Sequence, residues 1–303
     1  MKLRNLIARI AGSLGIVLSA GCASNAAEVQ PVVASAPSST GPALWKVSDS
    51  DTTIYLFGTV HALPENANWF DSRISRAFAS SDELVTEIDM ADGAGLQARF
   101  SEAAQLSRGR NLRELMRPED RLQYETALTA LGVPVEVFDS SEPWYAALNL
   151  TILPLIQSGY NPDAGVDQVL TSQAANKQRA ALETADEQLA LFDGLPMEAQ
   201  LTMLDGAVEG IGSVAVTLDA MVERWLLGDA EGLATLMNAD MDDPTLANRL
   251  LYDRNAHWAD WIETRMQTPG TVFMAVGAGH LAGTGSVQDL LTQRGHEVER
   301  ILQ

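Results

Sequence analysis

Cysteine is nearly absent: Cys22 is the only one in 303 residues. A disulfide within the chain is therefore excluded, as are zinc ribbons built on cysteine pairs. Basic residues are scarce, with 20 Lys and Arg against 40 Asp and Glu and a formal net charge of −20. Nucleic-acid binding rests on Lys and Arg neutralising phosphates, so no nucleic-acid partner is expected. No run of Lys and Arg marks attraction to an anionic membrane surface either. Histidine is sparse, at four residues, and none belongs to a His-Glu-x-x-His pair. The usual helical zinc-protease motif is thereby removed. What remains is ordinary for a globular protein: 46% hydrophobic and 20% charged residues, in a chain long enough for one large domain or two small ones.

The N-terminus reads as an address. Lys2, Arg4 and Arg9 precede an apolar stretch over 10–18 that is too short to span a bilayer as a helix. It ends in Leu18-Ser19-Ala20-Gly21-Cys22, which resembles a bacterial lipoprotein signal box, although Ser19 departs from the aliphatic residue usual there. A lone thiol just after such a segment is best explained as a lipidation site. Residues 1–21 are thus expected to be a signal peptide. Residues 22–42, rich in Ala, Ser and Pro, are expected to be a lipid-bearing flexible tether, and 43–303 a single domain. This places the protein in a bacterial cell envelope, anchored through Cys22 to a membrane and facing the periplasm or the cell surface. Without the lipid it would be periplasmic or secreted.

Within the domain one pattern occurs twice. Ile54-Tyr55-Leu56-Phe57 is a β-branched and aromatic run that reads as a buried strand and stops at Gly58-Thr59-Val60-His61. Near the end, 271–276 is a second such strand, followed by Gly277-Ala278-Gly279-His280. Each strand delivers Gly-x-x-His at its carboxyl end, the edge at which open α/β sheets bind ligands. Two further short strands end in carboxylates: 83–88, with Glu87 near its end, and 179–182, followed by Glu183. A carboxylate in a buried strand needs a cation, a metal or hydrogen-bond donors.

The middle of the chain reads as helix. Residues 95–156 are mostly helical, with Pro118 in a first turn and a break at Gly132-Val133-Pro134. Residues 196–227 carry an amphipathic helix or helix pair, with a kink expected near Gly206, Gly210 and Gly212. A late helix over 245–266 places Arg254 on its apolar face, between Leu250 or Leu251 and Trp258. An arginine facing inward is there for a carboxylate or an anionic ligand. His257 falls on the polar side of that helix, and His296 on a loop with no assigned role. The fold class is α/β: a central sheet flanked by helices, with a large helical insertion.

At this point the sequence resembles the TraB/GumN/PrgY family, related to the Tiki metalloproteases. The resemblance rests on the paired Gly-x-x-His strands, Glu87-Ile88-Asp89, Gly165-Val166-Asp167, Leu182-Glu183-Thr184 and Arg254-Asn255, in that family's order. It implies a Tiki- or ChaN-like fold and metal-dependent cleavage of a peptide or protein substrate. Two imidazoles and one or two carboxylates at a sheet edge suit a divalent transition metal, with Mn, Co, Fe and Zn all open. His61, Glu87 and His280 are the expected ligands. Glu183 is expected as a further ligand or general base, and Arg254 as the electrostatic stabiliser, so that a metal-activated water attacks a peptide carbonyl. The alternatives are a non-catalytic peptide- or pheromone-binding lipoprotein, and a haem- or iron-binding lipoprotein using the histidines as axial ligands.

The tether has a direct test. In cells fed a labelled lipid precursor, the wild-type protein should take up label and Cys22→Ser should not; label on both, or on neither, would reject lipidation at Cys22.

Overall fold

The computed structural model describes residues 41–89, 93–238 and 247–302. The expected signal peptide 1–21 and Cys22 lie outside the described residues, as does the tether up to residue 40. Strands β1 (Leu44–Ser48) and β2 (Thr52–Thr59) form an antiparallel hairpin. Asp49 closes its turn by accepting from the backbone N–H groups of Asp51 and Thr52. Helix α1 (Ser72–Ser80) starts at Asp71, whose carboxylate accepts from the N–H groups of Arg73 and Ile74. Strand β3 (Glu83–Thr86) is shorter than the expected 83–88, so Glu87 lies just past its end.

The helical insertion follows as α2 (Gly93–Ala103), α3 (Leu112–Leu115), α4 (Pro118–Ala130) and α5 (Pro143–Gln157). Pro118 occupies the first turn of α4, where its missing N–H costs nothing. Then come α6 (Val166–Gln173), strand β4 (Gln178–Ala181), α7 (Ala185–Asp193), α8 (Met197–Gly210) and α9 (Val214–Leu226). The expected kink between α8 and α9 is a bend of 86°. Among the described residues no single helix is long and apolar enough to cross a membrane. The chain closes with α10 (Ala230–Asn238), α11 (Asp253–Arg265), β5 (Gly270–Gly277), α12 (Val287–Gln293) and β6 (Val298–Arg300).

The described strands form one six-stranded sheet in the order β4-β3-β5-β2-β1-β6. β2, β5, β3 and β4 run parallel, and β1 is antiparallel to both its neighbours. The last long strand, β5, is inserted between β2 and β3. That insertion places the two Gly-x-x-His strands side by side, Thr59 level with Gly277, and the end of β3 next to them.

Both faces of these strands are covered, which is why they read as continuous apolar runs rather than alternating ones. Phe57, Leu84, Phe273 and Ala275 point into one core, with Ile74, Phe78, Val166, Leu218 and Trp225. Ile54, Leu56, Val85, Val272, Met274 and Val276 point into the opposite core, with Trp258, Ile262 and Leu291. The insertion has a third core around Trp144, which stacks on Phe192. Each such side chain contributes about 1.5–3 kcal/mol by leaving water.

Two glycines let the backbone close on the site. A Cβ on Gly58 would lie 2.9 Å from the Cα of Ala278, so only glycine lets the end of β2 touch the turn after β5. A Cβ on Gly165 would lie 2.2 Å from the carbonyl oxygen of His61, where the start of α6 meets the His61 turn. The N–H of Val166 donates to the carbonyl of Val60 at 2.9 Å in the same contact. Gly165→Ala should therefore force these segments apart and cost on the order of 1–3 kcal/mol, the usual range for overpacking. Urea unfolding checks this, and a variant as stable as wild type would contradict the contact.

Candidate active site

Four parallel strands bring chemistry-bearing residues to one edge. His61 follows β2, Glu87 follows β3, Glu183 follows β4, and His280 lies on the 3₁₀ turn Ala278–Leu281 after β5. Helix α11 lays Arg254, Asn255 and Trp258 against them, all buried. A π turn, Asn248–Tyr252, leads directly into that helix, a feature frequent at functional sites.

Arg254 is the hub. Its Nε and Nη2 donate to the two oxygens of Glu183, at 2.7 and 2.9 Å, in a two-pronged pair. Nη2 also donates to Glu87 at 2.6 Å. Nη1 donates to the carbonyl of Leu250 at 3.2 Å and lies 3.0 Å from Nε2 of His280. The guanidinium carbon sits 4.8 Å from the centre of the Trp258 ring, and Trp258 donates its indole N–H to Glu183 at 3.1 Å. The expectation that Arg254 faces inward for a carboxylate or an anionic ligand thus resolves to two carboxylates at once, Glu87 and Glu183.

Glu87 accepts from three groups: Arg254, the side-chain amide of Gln188 at 3.0 Å and the backbone N–H of Gly277 at 2.7 Å. Burial pushes its proton affinity above the ordinary carboxyl range, while the charge of Arg254 and then that of His61 pull it down. For Arg254, burial works against the charge, and Glu87 and Glu183 outweigh it. These two tendencies disagree about the pair. We assign the ionised form, because all three contacts of Glu87 named here are donors and suit a carboxylate.

The tautomer of His280 follows from its partners. Asn255 donates its amide N–H to the carbonyl of Gly285 at 2.8 Å, which turns its amide oxygen towards Nδ1 of His280 at 2.6 Å. That oxygen can only accept, so Nδ1 carries the proton and Nε2 presents a lone pair to Arg254. Burial first, then the charges of Arg254 and His61, push the imidazole well below its ordinary range. His280 is therefore neutral, with its ring 4.2 Å from that of Trp258. His61 is held in a matching way: its Nδ1 lies 2.5 Å from the carboxylate of Asp167 on α6. An ionised carboxylate accepts, so Nδ1 is the donor and Nε2 is the ring's basic atom.

The structure brings all the expected site residues to this edge, and the expected ligand set is not arranged as one. Among the described residues no three His, Cys, Asp or Glu side chains are gathered to hold a metal ion. Glu87 and Nε2 of His280 both bond to Arg254 instead, with Glu183 on the same guanidinium. As arranged, the residues do not fit a metal.

Asp167 and Asn255 were not picked out for a role by residue-by-residue reading, although both lie in the short motifs Gly165-Val166-Asp167 and Arg254-Asn255. Gln188 carried no signal. His257 is exposed on α11, as expected, and His296 bonds Glu263 at 2.9 Å, tying the segment before β6 to α11.

The model of the TraB/PrgY/gumN family matches residues 43–300, and the chain belongs to that family. It is 24% identical to the uncharacterized protein YbaP of Escherichia coli over 83% of this chain and 92% of YbaP. It is also 24% identical to metalloprotease TIKI1 of Danio rerio, over 84% of this chain and 62% of that protein. Human TIKI1 is 23% identical over 84% of this chain and 61% of its own length. No solved structure matches significantly.

Removing one partner of a buried pair strands the others. Arg254→Ala should therefore cost on the order of 3–5 kcal/mol in urea unfolding, whereas Arg117→Ala, which breaks an exposed pair with Asp120, should leave the midpoint unchanged. Equal behaviour of the two variants would show that Arg254 is not the hub.

Proposed function

We propose that this chain is a hydrolase of the bacterial cell envelope that cleaves peptide bonds at the edge formed by β2, β3, β4 and β5. The observation that carries this reading is the convergence of an oriented imidazole, His61 on Asp167, with a buried guanidinium at the carboxyl ends of parallel strands. Membership of a family with relatives named metalloproteases supports hydrolysis as the class of reaction.

The roles follow from chemistry. His61, with Nδ1 held by Asp167, has Nε2 as its basic atom and takes the proton from the attacking water. The five N–H groups of Arg254 are taken by Glu183, Glu87, Leu250 and His280, so it adds only the field of its charge to the edge where the oxyanion develops. Glu183 and Glu87 hold the guanidinium in place. Neutral His280, fixed by Asn255, offers it an acceptor without adding a charge. No step is assigned to a metal, because Glu87 and His280 are already engaged with Arg254.

The haem-binding alternative has less to stand on. His280 is fully buried and both of its ring nitrogens have partners. The lipid anchor at Cys22, a peptide or protein substrate and the envelope location are part of this proposal.

Purified protein incubated with a peptide library should produce new amino termini. His61→Ala should lower the rate by about 100-fold or more, the scale of a lost general base, and the exposed-site variant His257→Ala should match wild type. No cleavage by wild type, with or without added divalent ions, would reject the hydrolase reading.

A further inference from the structure

At the β6 end of the sheet lies a groove of about 510 Å³ that the chemistry above does not use. It is lined by Trp45 of β1, Arg300 of β6, the start of α10 and the segment 283–292. Its volume is in the range of small-ligand sites.

Arg300 is the unusual member of this lining. Its guanidinium carbon lies 4.7 Å from the centre of the Trp45 ring, and its Nη2 donates to the carbonyl of Gly228 at 2.8 Å. Those contacts hold the group without neutralising it. Its Nε is buried with no acceptor, and no carboxylate pairs with it among the described residues. Burial, then the charge of Arg73, lower its proton affinity, yet a guanidinium keeps its charge at any working pH. The carboxylates that share the groove are engaged elsewhere, Asp229 with Arg224 at 3.1 Å and Asp289 with the N–H of Gly285 at 2.7 Å. In a chain with 40 acidic residues, an arginine left without one stands out.

Gln288 lines the same groove and supplies the complementary atom. Its amide nitrogen donates to the carbonyl of Leu281 at 2.6 Å, which leaves Oε1 as the acceptor, buried and without a partner among the described residues. An unused cationic donor and an unused neutral acceptor therefore belong to one groove. The rest of the lining narrows the anion that fits. Asp229, Glu231 and Asp289 repel a multiply charged anion, while carboxylates accept from N–H groups. One carboxylate accompanied by N–H donors meets both conditions.

We propose that this groove binds the free C-terminal carboxylate of a short peptide, with the carboxylate on Arg300 and a peptide N–H on Gln288. The groove is a neighbour of the strand-edge centre rather than part of it. Gly285, beside Gln288 in the chain, accepts from Asn255, and Leu281 follows His280 directly. None of the residues assigned a role in hydrolysis lines it, so the proposal stands or falls apart from that reading.

The test reads binding rather than catalysis. Purified protein is dialysed against a random tripeptide library with free carboxyl termini, and against the same library capped as C-terminal amides. Retained peptide is measured by mass spectrometry. Wild type should retain the acids about tenfold or more above the amides, the scale of one charge-assisted hydrogen bond to a carboxylate. Arg300→Met keeps an apolar stem over Trp45 and should lose that preference, and Gln288→Ala should retain less of the acids than wild type.

Equal retention of both libraries, a wild-type preference in Arg300→Met, or no retention by wild type at millimolar peptide would overturn the proposal. Displacement of the acids by equimolar inorganic phosphate would also overturn it, by showing a site for any anion. If Arg300→Met does not fold, Gln288→Ala decides: weaker retention of the acids supports the groove, and wild-type retention overturns it. Cleavage is scored separately by new amino termini. Retention without cleavage rejects only the hydrolase reading, and cleavage without an Arg300-dependent preference rejects only the groove.

Discussion

A guanidinium that is 5% exposed must be neutralised where it lies, and the edge of this sheet is built around that requirement. Arg254 comes from α11, Glu87 from the end of β3, Glu183 from the end of β4 and His280 from the turn after β5. One charge thereby ties together three strand ends and a helix that are far apart in sequence. Each carboxylate is anchored a second time, Glu87 by Gln188 and Gly277, Glu183 by Trp258. A network whose members each have more than one partner holds a single arrangement, because no member can turn away without stranding another.

The strand order makes this meeting possible. With β5 inserted between β2 and β3, the two Gly-x-x-His turns become neighbours, and Gly58 removes the one Cβ that would keep them apart. On the far side of the site, Gly165 lets α6 bring Asp167 to His61. The two histidines then differ in a way that matters for chemistry. His61 leans on a carboxylate that holds its Nδ1 proton, whereas His280 leans on a neutral amide, and burial together with the charge of Arg254 pushes its imidazole below the ordinary range. A proton-accepting imidazole and one that stays neutral are thus separated by their partners rather than by their own positions on the strands.

Much of this was legible in the sequence because it is local. Apolar runs ending in Gly-x-x-His announce strands with histidines at their carboxyl ends. The helical phase of Arg254 against Trp258 announces an inward-facing charge, and the glycines near 206–212 announce the bend between α8 and α9. The partners of those groups were not legible. Nothing in the spacing of Asp167 or Asn255 says which ring nitrogen each will hold, because those pairings form through space, between His61 and Asp167 or between Asn255 and His280. The same limit governed Glu87. A buried carboxylate announces a need for a cation, and the sequence offered a metal and an arginine alike. The hydrogen bonds of Arg254 show that the arginine meets that need in this arrangement.

The central claim is that Arg254 and Glu87 hold each other in place, and a double-mutant cycle measures it most directly. Unfolding free energies of wild type, Arg254→Met, Glu87→Gln and the double variant yield the coupling between the two side chains. A coupling on the order of 3 kcal/mol is predicted, at the upper end for contacting residues in one buried network. Additivity within about 0.5 kcal/mol would show that the two side chains act independently, and would contradict the account.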